Sequence, residues 1–392
     1  MTMLRDYQQK ASDAAIRTFQ GGVWNGIIVL PVGSGKSYVI ADIASRLDTP
    51  LLVLAPTREI ALQDQEKITL TGMYDVGIYS ASLGDKNIRK ITIATIGSVY
   101  NALSDFRLFR YVIVDECHNI DASGGMYERF IHDREDRLVI GLTATPYRFC
   151  NNTYGNCLTF LTRTKPRIFD KVLYVCQAGE LVKKGYLCGA TYFDMSSVMK
   201  LDYKRVSLTS SGYDYEDDSL QQEMSRVGYD RTLFGIVMTV VRKRQHNGIL
   251  VFTRYVRDAE RLVDQLKKYS ISADFVSGET PRRDRTRIIN AFKRGDINVV
   301  ANASVLVEGF DYPELDTIIL AHPTRSLRRY VQEVGRVMRP AKGKEAWVVD
   351  LVGTSTMFGR IEDIVVNKPK YTNMWGVMSK GRSLTGIASL TD

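Results

Sequence analysis

Along the chain, short apolar runs alternate with stretches in helical phase. The runs at 27–30, 51–55, 91–95, 111–114 and 138–142 are four or five residues long and are built of aliphatic and β-branched side chains. Runs of that length without polar alternation suit strands buried on both faces. Ahead of them, Ala11, Ala14, Ala15, Ile16 and Phe19 recur at helical spacing within residues 6–20. Helical stretches also lie between several of the runs. The alternation predicts an α/β domain with a parallel sheet.

The pattern then breaks. From 149 to about 189 periodicity is weak and Gly, Asn and Thr are frequent. Residues 196–228 are polar and carry the acidic cluster Tyr213-Asp214-Tyr215-Glu216-Asp217-Asp218, which reads as a loop or mobile insertion. A second series follows. Residues 232–244 are helix-like, 249–253 is a strand, and Val256, Ala259, Leu262, Val263 and Leu266 form one helical face. Further strands are expected at 273–276, 298–301, 317–321 and 346–351. This predicts a second α/β lobe. The expected division is 1–160 for the first lobe, 161–228 for a connector and insertion, 229–355 for the second lobe and 356–392 for a tail with no legible chemistry.

A length of 392 residues accommodates two domains, and 44% hydrophobic residues can fill two cores. The net charge of +9 suits an anionic partner such as nucleic acid. The five cysteines are odd in number and form no C-x-x-C, and the four histidines show no H-x-x-x-H spacing. Both facts argue against a disulfide framework or a zinc ribbon. No apolar run of about 18 residues is present to span a membrane. A reducing cytoplasmic location is expected, nucleoid-associated or, for a phage protein, in the host cytoplasm.

Candidate chemistry begins at Leu30-Pro31-Val32-Gly33-Ser34-Gly35-Lys36-Ser37, placed between a strand and a helix. Gly33 and Gly35 carry no Cβ to obstruct a phosphate, and Ser34 shares the loop. The helix start adds N–H donors. Lys36 suits the β- and γ-phosphates, and Ser37 suits Mg²⁺. Leu30 stands where the full phosphate-loop pattern has its first glycine; the alternative is a plain turn. Asp115 and Glu116 end the 111–114 run, where ligands of open α/β sheets bind. Asp115 can hold Mg²⁺, and Glu116 can deprotonate an attacking water. In the second series, Gln332, Arg336 and Arg339 share one face if the segment is helical. Such arginines can stabilise a transferring phosphoryl group, or they form a solvated basic face. The run from Pro281 to Arg294 is strongly basic, part solvated face and part possible phosphodiester contact.

Taken together, these residues resemble the superfamily 2 helicases and translocases, most closely a minimal RadD-type DNA repair helicase without that type's cysteine-rich C-terminal region. The resemblance runs from about Leu4 to Leu351 and rests on some eight motifs in order. It implies two tandem RecA-like parallel-sheet lobes with the ATP site in the cleft between them. It implies that Arg5 and Gln8 read adenine, and that residues 31–37 form motif I, with Val32 where Thr is usual. Thr57 and Arg58, then Gly97 and Ser98, are implied as backbone contacts to nucleic acid. Asp115 to His118 forms a DECH-type motif II, and His118, Thr143 and Thr145 are implied to couple hydrolysis to movement. Thr253 and Arg254 resemble motif IV. Gly309 and Asp311 resemble the nucleotide-approaching part of motif V, where Ala303 replaces a common hydroxyl residue. Gln332, Arg336 and Arg339 resemble motif VI.

The expected function is therefore an ATP- and Mg²⁺-dependent helicase or translocase acting on single-stranded or branched DNA. An RNA helicase and a non-unwinding DNA motor subunit are the alternatives. Protein partners are not legible, and no membrane association is expected.

Overall fold

The computed structural model describes residues 4–121, 124–152, 155–244, 248–303, 312–370 and 373–385. The chain forms two compact units, one of Met1–Ala178 with Val365–Asp392 and one of Gly179–Ile364.

Ten strands precede Ala178: β1 (Gly26–Val29), β2 (Leu51–Ala55), β3 (Val76–Ser80), β4 (Asp85–Lys86), β5 (Ile91–Thr95), β6 (Tyr111–Asp115), β7 (Leu138–Thr143), β8 (Tyr147–Asn152), β9 (Gly155–Phe160) and β10 (Lys171–Val175). Eight form one sheet in the order β10-β1-β7-β6-β2-β5-β3-β4, and β8 and β9 form a separate antiparallel pair. All neighbours in the large sheet run parallel except β3 and β4. Every residue of β1, β2 and β7 is buried, which is why these runs show no polar alternation. Register sets the functional edge. Val29 lies opposite Thr143, and Asp115 lies opposite Leu142. The carboxyl ends of β1, β7 and β6 are thus level and adjacent, at about 4.8 Å per strand step.

Three helices frame this edge: α1 (Asp6–Gly21), α2 (Lys36–Arg46) and α3 (Arg58–Thr69). The Ser12 hydroxyl of α1 donates to Asp42 of α2 at 2.5 Å, and Arg46 reaches Asp13 at 2.7 Å. These contacts fix α1 beside α2.

The region of weak periodicity after 149 is ordered as β8, β9 and β10. Because β10 pairs with β1, it belongs to the first sheet rather than to a connector. The terminal segment also folds with this unit. It carries β17 (Ile364–Asn367), β18 (Gly376–Ser379) and β19 (Arg382–Ser383), and the Gln177 amide brackets the Val366 backbone at 2.7 and 3.0 Å.

The second unit holds β11 (Ala190–Asp194), β12 (Ile249–Thr253), β13 (Ala273–Val276), β14 (Val299–Ala303), β15 (Thr317–Leu320) and β16 (Ala346–Asp350). They form a fully parallel sheet in the order β11-β16-β15-β12-β14-β13. Its core joins Leu233 and Val237 of helix Tyr229–Lys243 and Leu262, Val263 and Leu266 of helix Val256–Lys268 to Val251, Val299 and Ala301.

The polar segment 196–228 is not a loose excursion. Tyr215 is buried and stacks on Tyr203 at 4.9 Å, and Glu216 caps helix Asp217–Arg226 by accepting from the Asp218 and Ser219 amides. Charges in this cluster accept hydrogen bonds from the unit's own backbone and arginines, which composition alone does not reveal. Among the described residues, no helix is long and apolar enough to cross a membrane.

Candidate active site

The loop between β1 and α2 is shaped from three sides. Gly33 and Gly35 have φ of 78° and 81°, backbone that glycine adopts without strain. A Cβ on Gly35 would stand 2.7 Å from Gln8 Nε2, so any side chain there would push Gln8 aside as well as strain the backbone. The Ser34 carbonyl accepts from Tyr7 Oη at 2.6 Å and Gln8 Nε2 at 2.9 Å. Gln8 Oε1 in turn accepts from the Arg5 amide at 3.0 Å. Gln8 thus braces the loop from α1, and Arg5 holds Gln8 through its backbone. The Ser34 hydroxyl closes the turn by donating to Pro31 O at 2.6 Å, and the Leu30 amide ties the loop to β7 by donating to Thr143 O at 3.0 Å.

Lys36 Nζ and Glu116 Oε1 form an ion pair at 2.8 Å, with side chains only 11% and 9% exposed. Glu116 has φ 49° and ψ 50°, a left-handed conformation uncommon outside glycine. It turns the chain sharply after β6 and aims the carboxyl back at the loop. Glu116 Oε2 is 3.3 Å from His118 Nδ1. That nitrogen also lies 2.8 Å from Thr143 Oγ1 and 3.0 Å from Thr145 Oγ1. The structure therefore brings together Lys36, Glu116, His118, Thr143 and Thr145, which come from three separate stretches of the sequence.

Burial alone would raise the Glu116 carboxyl, but the Lys36 ammonium and the His118 ring hold it below the usual carboxylate range. Burial pushes Asp115 well up, helped by Glu116 and Asp64. Its Oδ1 accepts from the Glu116 amide at 2.9 Å. Asp64, on α3, is fully buried with neither oxygen hydrogen-bonded. Burial raises it to about 7, against the lowering effect of the Ser37 hydroxyl and Lys36. Neither Tyr7 nor Asp64 stands out in the motifs. Asp64 had one signal: it falls four residues after Ile60 and four before Ile68, on the buried face of α3.

The expected nucleic-acid contacts have partners of their own. Thr57 caps α3 by accepting from the Ile60 amide at 3.3 Å. Arg58 pairs with Glu59 at 2.7 Å. The Gly97 carbonyl accepts from Asn101 at 3.0 Å, and the Ser98 hydroxyl accepts from the Ala81 amide at 2.9 Å.

In the second unit, the Thr253 hydroxyl is buried and donates to Tyr255 O at 3.3 Å. Arg254 is engaged within the unit. It meets Asp214 at 3.2 Å and Asp217 at 2.9 Å, and it donates to the carbonyls of Pro323 and Tyr215 at 3.0 and 2.9 Å. Its side chain is 13% exposed. Breaking such a buried charge network is worth about 3–5 kcal/mol. Arg254→Ala is therefore expected to lower stability by that order in urea unfolding; an unchanged midpoint would assign Arg254 to solvent-side contacts instead.

Helix Leu327–Val337 carries Gln332 and Arg336, both buried. Arg339 lies in the turn beyond it, so the shared helical face extends to 336 and not to 339. Pro340 follows and disfavours helical backbone at the preceding residue. Gly309 and Asp311 lie outside the described residues. Ala303 is buried at the end of β14.

Beside Arg336, Glu333 is fully buried, 3.3 Å from Arg329 and 3.5 Å from His322. Burial outweighs Arg329 and Arg336 and raises its carboxyl to about 8. A folded-state pKa above the unfolded one means that the fold binds the extra proton. Its contribution to stability is present below about pH 4.5 and is lost as pH rises toward 8. Glu333→Gln is expected to remove this slope, raising stability at pH 8 more than at pH 5 in parallel unfolding curves.

Residues 1–148 match the family model described as Type III restriction enzyme, res subunit, and residues 232–341 match that of the helicase conserved C-terminal domain. The DNA 3'-5' translocase XPB2 of Sulfurisphaera tokodaii is 26% identical over 385 residues, covering 90% of this chain and 82% of the relative. The DNA 3'-5' helicase XPB of Mycobacterium tuberculosis is 25% identical over 349 residues, covering 86% and 58%. The chain spans about half the length of several other relatives, 52% of one and 53% of another. Among solved structures, the ATP-dependent Type ISP restriction-modification enzyme LlaBIII bound to DNA aligns with a TM-score of 0.65 at 18% identity, over 89% of this chain and 27% of that one. That likeness is one of fold. With a restriction-enzyme res-subunit match on the first parallel-sheet unit, a helicase C-terminal-domain match on the second, and helicase- and translocase-named relatives that span both, the chain is similar over both units to the superfamily 2 helicases.

Proposed function

We propose that this chain hydrolyses ATP at the β1–α2 loop and uses the turnover to move along DNA. The observation that carries the reading is the Lys36–Glu116–His118–Thr143 chain of contacts at the level ends of β1, β7 and β6. Lys36 binds phosphate oxygens, and Glu116 takes the proton of the attacking water. Without nucleotide, Lys36 and Glu116 neutralise each other. A phosphate that draws Lys36 away leaves Glu116 as an available base. His118 senses that exchange because it touches the Glu116 carboxyl, and it passes the change to the two threonines that meet the same His118 nitrogen. Arg336 and Arg339 are assigned as phosphoryl-stabilising arginines of the second unit, and Arg5, Gln8, Gly309 and Asp311 to the nucleotide.

The residues fit a hard divalent cation. Burial raises Asp64 and Asp115, while Lys36 favours the ionised form of these two and of Glu116, so an added cation would ionise carboxyl groups that burial holds back. Ser37 and Asp115 supply oxygen ligands of the kind Mg²⁺ takes. When bound, the ion neutralises charge on the phosphates.

DNA is the proposed track, supported by relatives named as DNA helicases and translocases. Backbone contact through Thr57, Arg58, Gly97 and Ser98 would make affinity salt-sensitive and weakly sequence-dependent. The deciding experiment measures ATPase rates with single-stranded, duplex and forked DNA and with RNA. Stimulation by RNA alone would overturn the DNA assignment. A motor that translocates without unwinding is the second reading, favoured by the relative named as a translocase. Triplex displacement without strand displacement would establish it.

A further inference from the structure

We infer that Asp64 is a positioning residue of the phosphate site: it accepts the Ser37 hydroxyl proton in a hydrogen bond and so turns the Ser37 lone pairs toward a metal-bound nucleotide. This role rests on the proposed assignment of Ser37 as a Mg²⁺ ligand.

Asp64 lies on α3, on a buried face shared with Ile60, Ala61 and Ile68. An aliphatic residue would suit that face. Instead a carboxyl group with 0% exposure sits there, and neither of its oxygens makes a hydrogen bond. A buried polar group without a partner is unfavourable, so its presence calls for a donor that can turn toward it. Its interacting neighbours are the Ser37 hydroxyl, Lys36 and Glu116, all of the phosphate site.

The chemistry of the hydroxyl specifies what the partner is. Serine offers one proton and two lone pairs. When a lone pair goes to a metal, the proton must point elsewhere, and an anionic acceptor strengthens the ligand. Asp115 already accepts the Glu116 amide through Oδ1, whereas both Asp64 oxygens are open. Among the described residues no three His, Cys, Asp or Glu side chains stand close enough to share an ion. Asp64 therefore acts through Ser37 rather than as a third carboxylate ligand.

The test is ADP binding to the full chain, titrated in Mg²⁺ and in EDTA, for the parent, Asp64→Ala, Asp64→Asn, Ser37→Ala and the Asp64→Ala/Ser37→Ala double variant. In Asp64→Ala the tightening of ADP by Mg²⁺ should shrink about tenfold, the scale for removing a group that orients a metal ligand. Affinity in EDTA should stay within about twofold, since the phosphate loop itself is untouched. Ser37→Ala should remove the same tightening, and the double variant should lose nothing more. Thermal unfolding without nucleotide should occur at or above the parent temperature, because a buried carboxyl group with no hydrogen bond has been removed. Asp64→Asn keeps the shape if the alanine variant fails to fold. Unchanged Mg²⁺ tightening in both Asp64 variants, or losses that multiply in the double variant, would overturn the role of Asp64 alone. A parent protein that binds no ADP would overturn the phosphate-site reading itself, and the inference with it.

Discussion

Glu116→Gln is expected to lower DNA-stimulated ATP turnover by about 10²–10⁴-fold, the usual worth of a positioned general base. The substitution keeps the side-chain shape and the left-handed turn but cannot accept the proton of water. ATP binding should survive and tighten, because Lys36 loses the carboxylate it pairs with at 2.8 Å and is released for phosphate. Rapid-quench turnover and a separate nucleotide titration distinguish these two effects. If turnover stays at the parent rate, another group deprotonates the water.

Lys36→Ala is expected to fail twice. It removes the phosphate contact, and it strips the lysine partner from a carboxyl group that is 9% exposed. Breaking a buried pair from one side is worth about 3–5 kcal/mol. The stability loss has a defined pH window. The Glu116 carboxyl is held below its unfolded value, so its contribution exists above about pH 4.5 and fades as pH falls through the folded value. Lys36→Ala should therefore unfold at markedly lower urea than the parent at pH 8, and the part of the gap that comes from the depressed Glu116 carboxyl should be lost only below about pH 4.5. Adding Glu116→Gln should recover much of the stability and none of the turnover. A single variant as stable as the parent at pH 8 would mean that the pair carries no net stabilisation.

The sheet strands were legible because parallel sheets buried on both faces need unbroken aliphatic runs, and 51–55 and 138–142 are such runs. The phosphate loop and the acids at 115 and 116 were legible because local spacing sets their geometry. Arg254 was not. Its position beside motif-like residues says nothing of Asp214 and Asp217, some forty positions earlier, which take up its guanidinium. The acidic segment misled for the same reason, since charges that cap helices and meet arginines look identical in sequence to charges that face water. The helical face expected to reach Arg339 ends earlier by a local rule, because the helix stops at Val337 before the proline. Asp64 shows the converse: an acid on an apolar helix face is visible in the sequence, but only the fold shows that it is fully buried and under the influence of Ser37 and Lys36.

The placement of β10 next to β1 bears on how this protein can be dissected. A fragment ending at residue 160 would strip the sheet of its last strand and leave Gly26–Val29, wholly buried in the intact chain, as an open apolar margin. Bare margins of that kind recruit strands from other molecules. Such a piece should precipitate or form oligomers on gel filtration, whereas one carried through Ala178 together with the returning segment from Val365 keeps the margin covered.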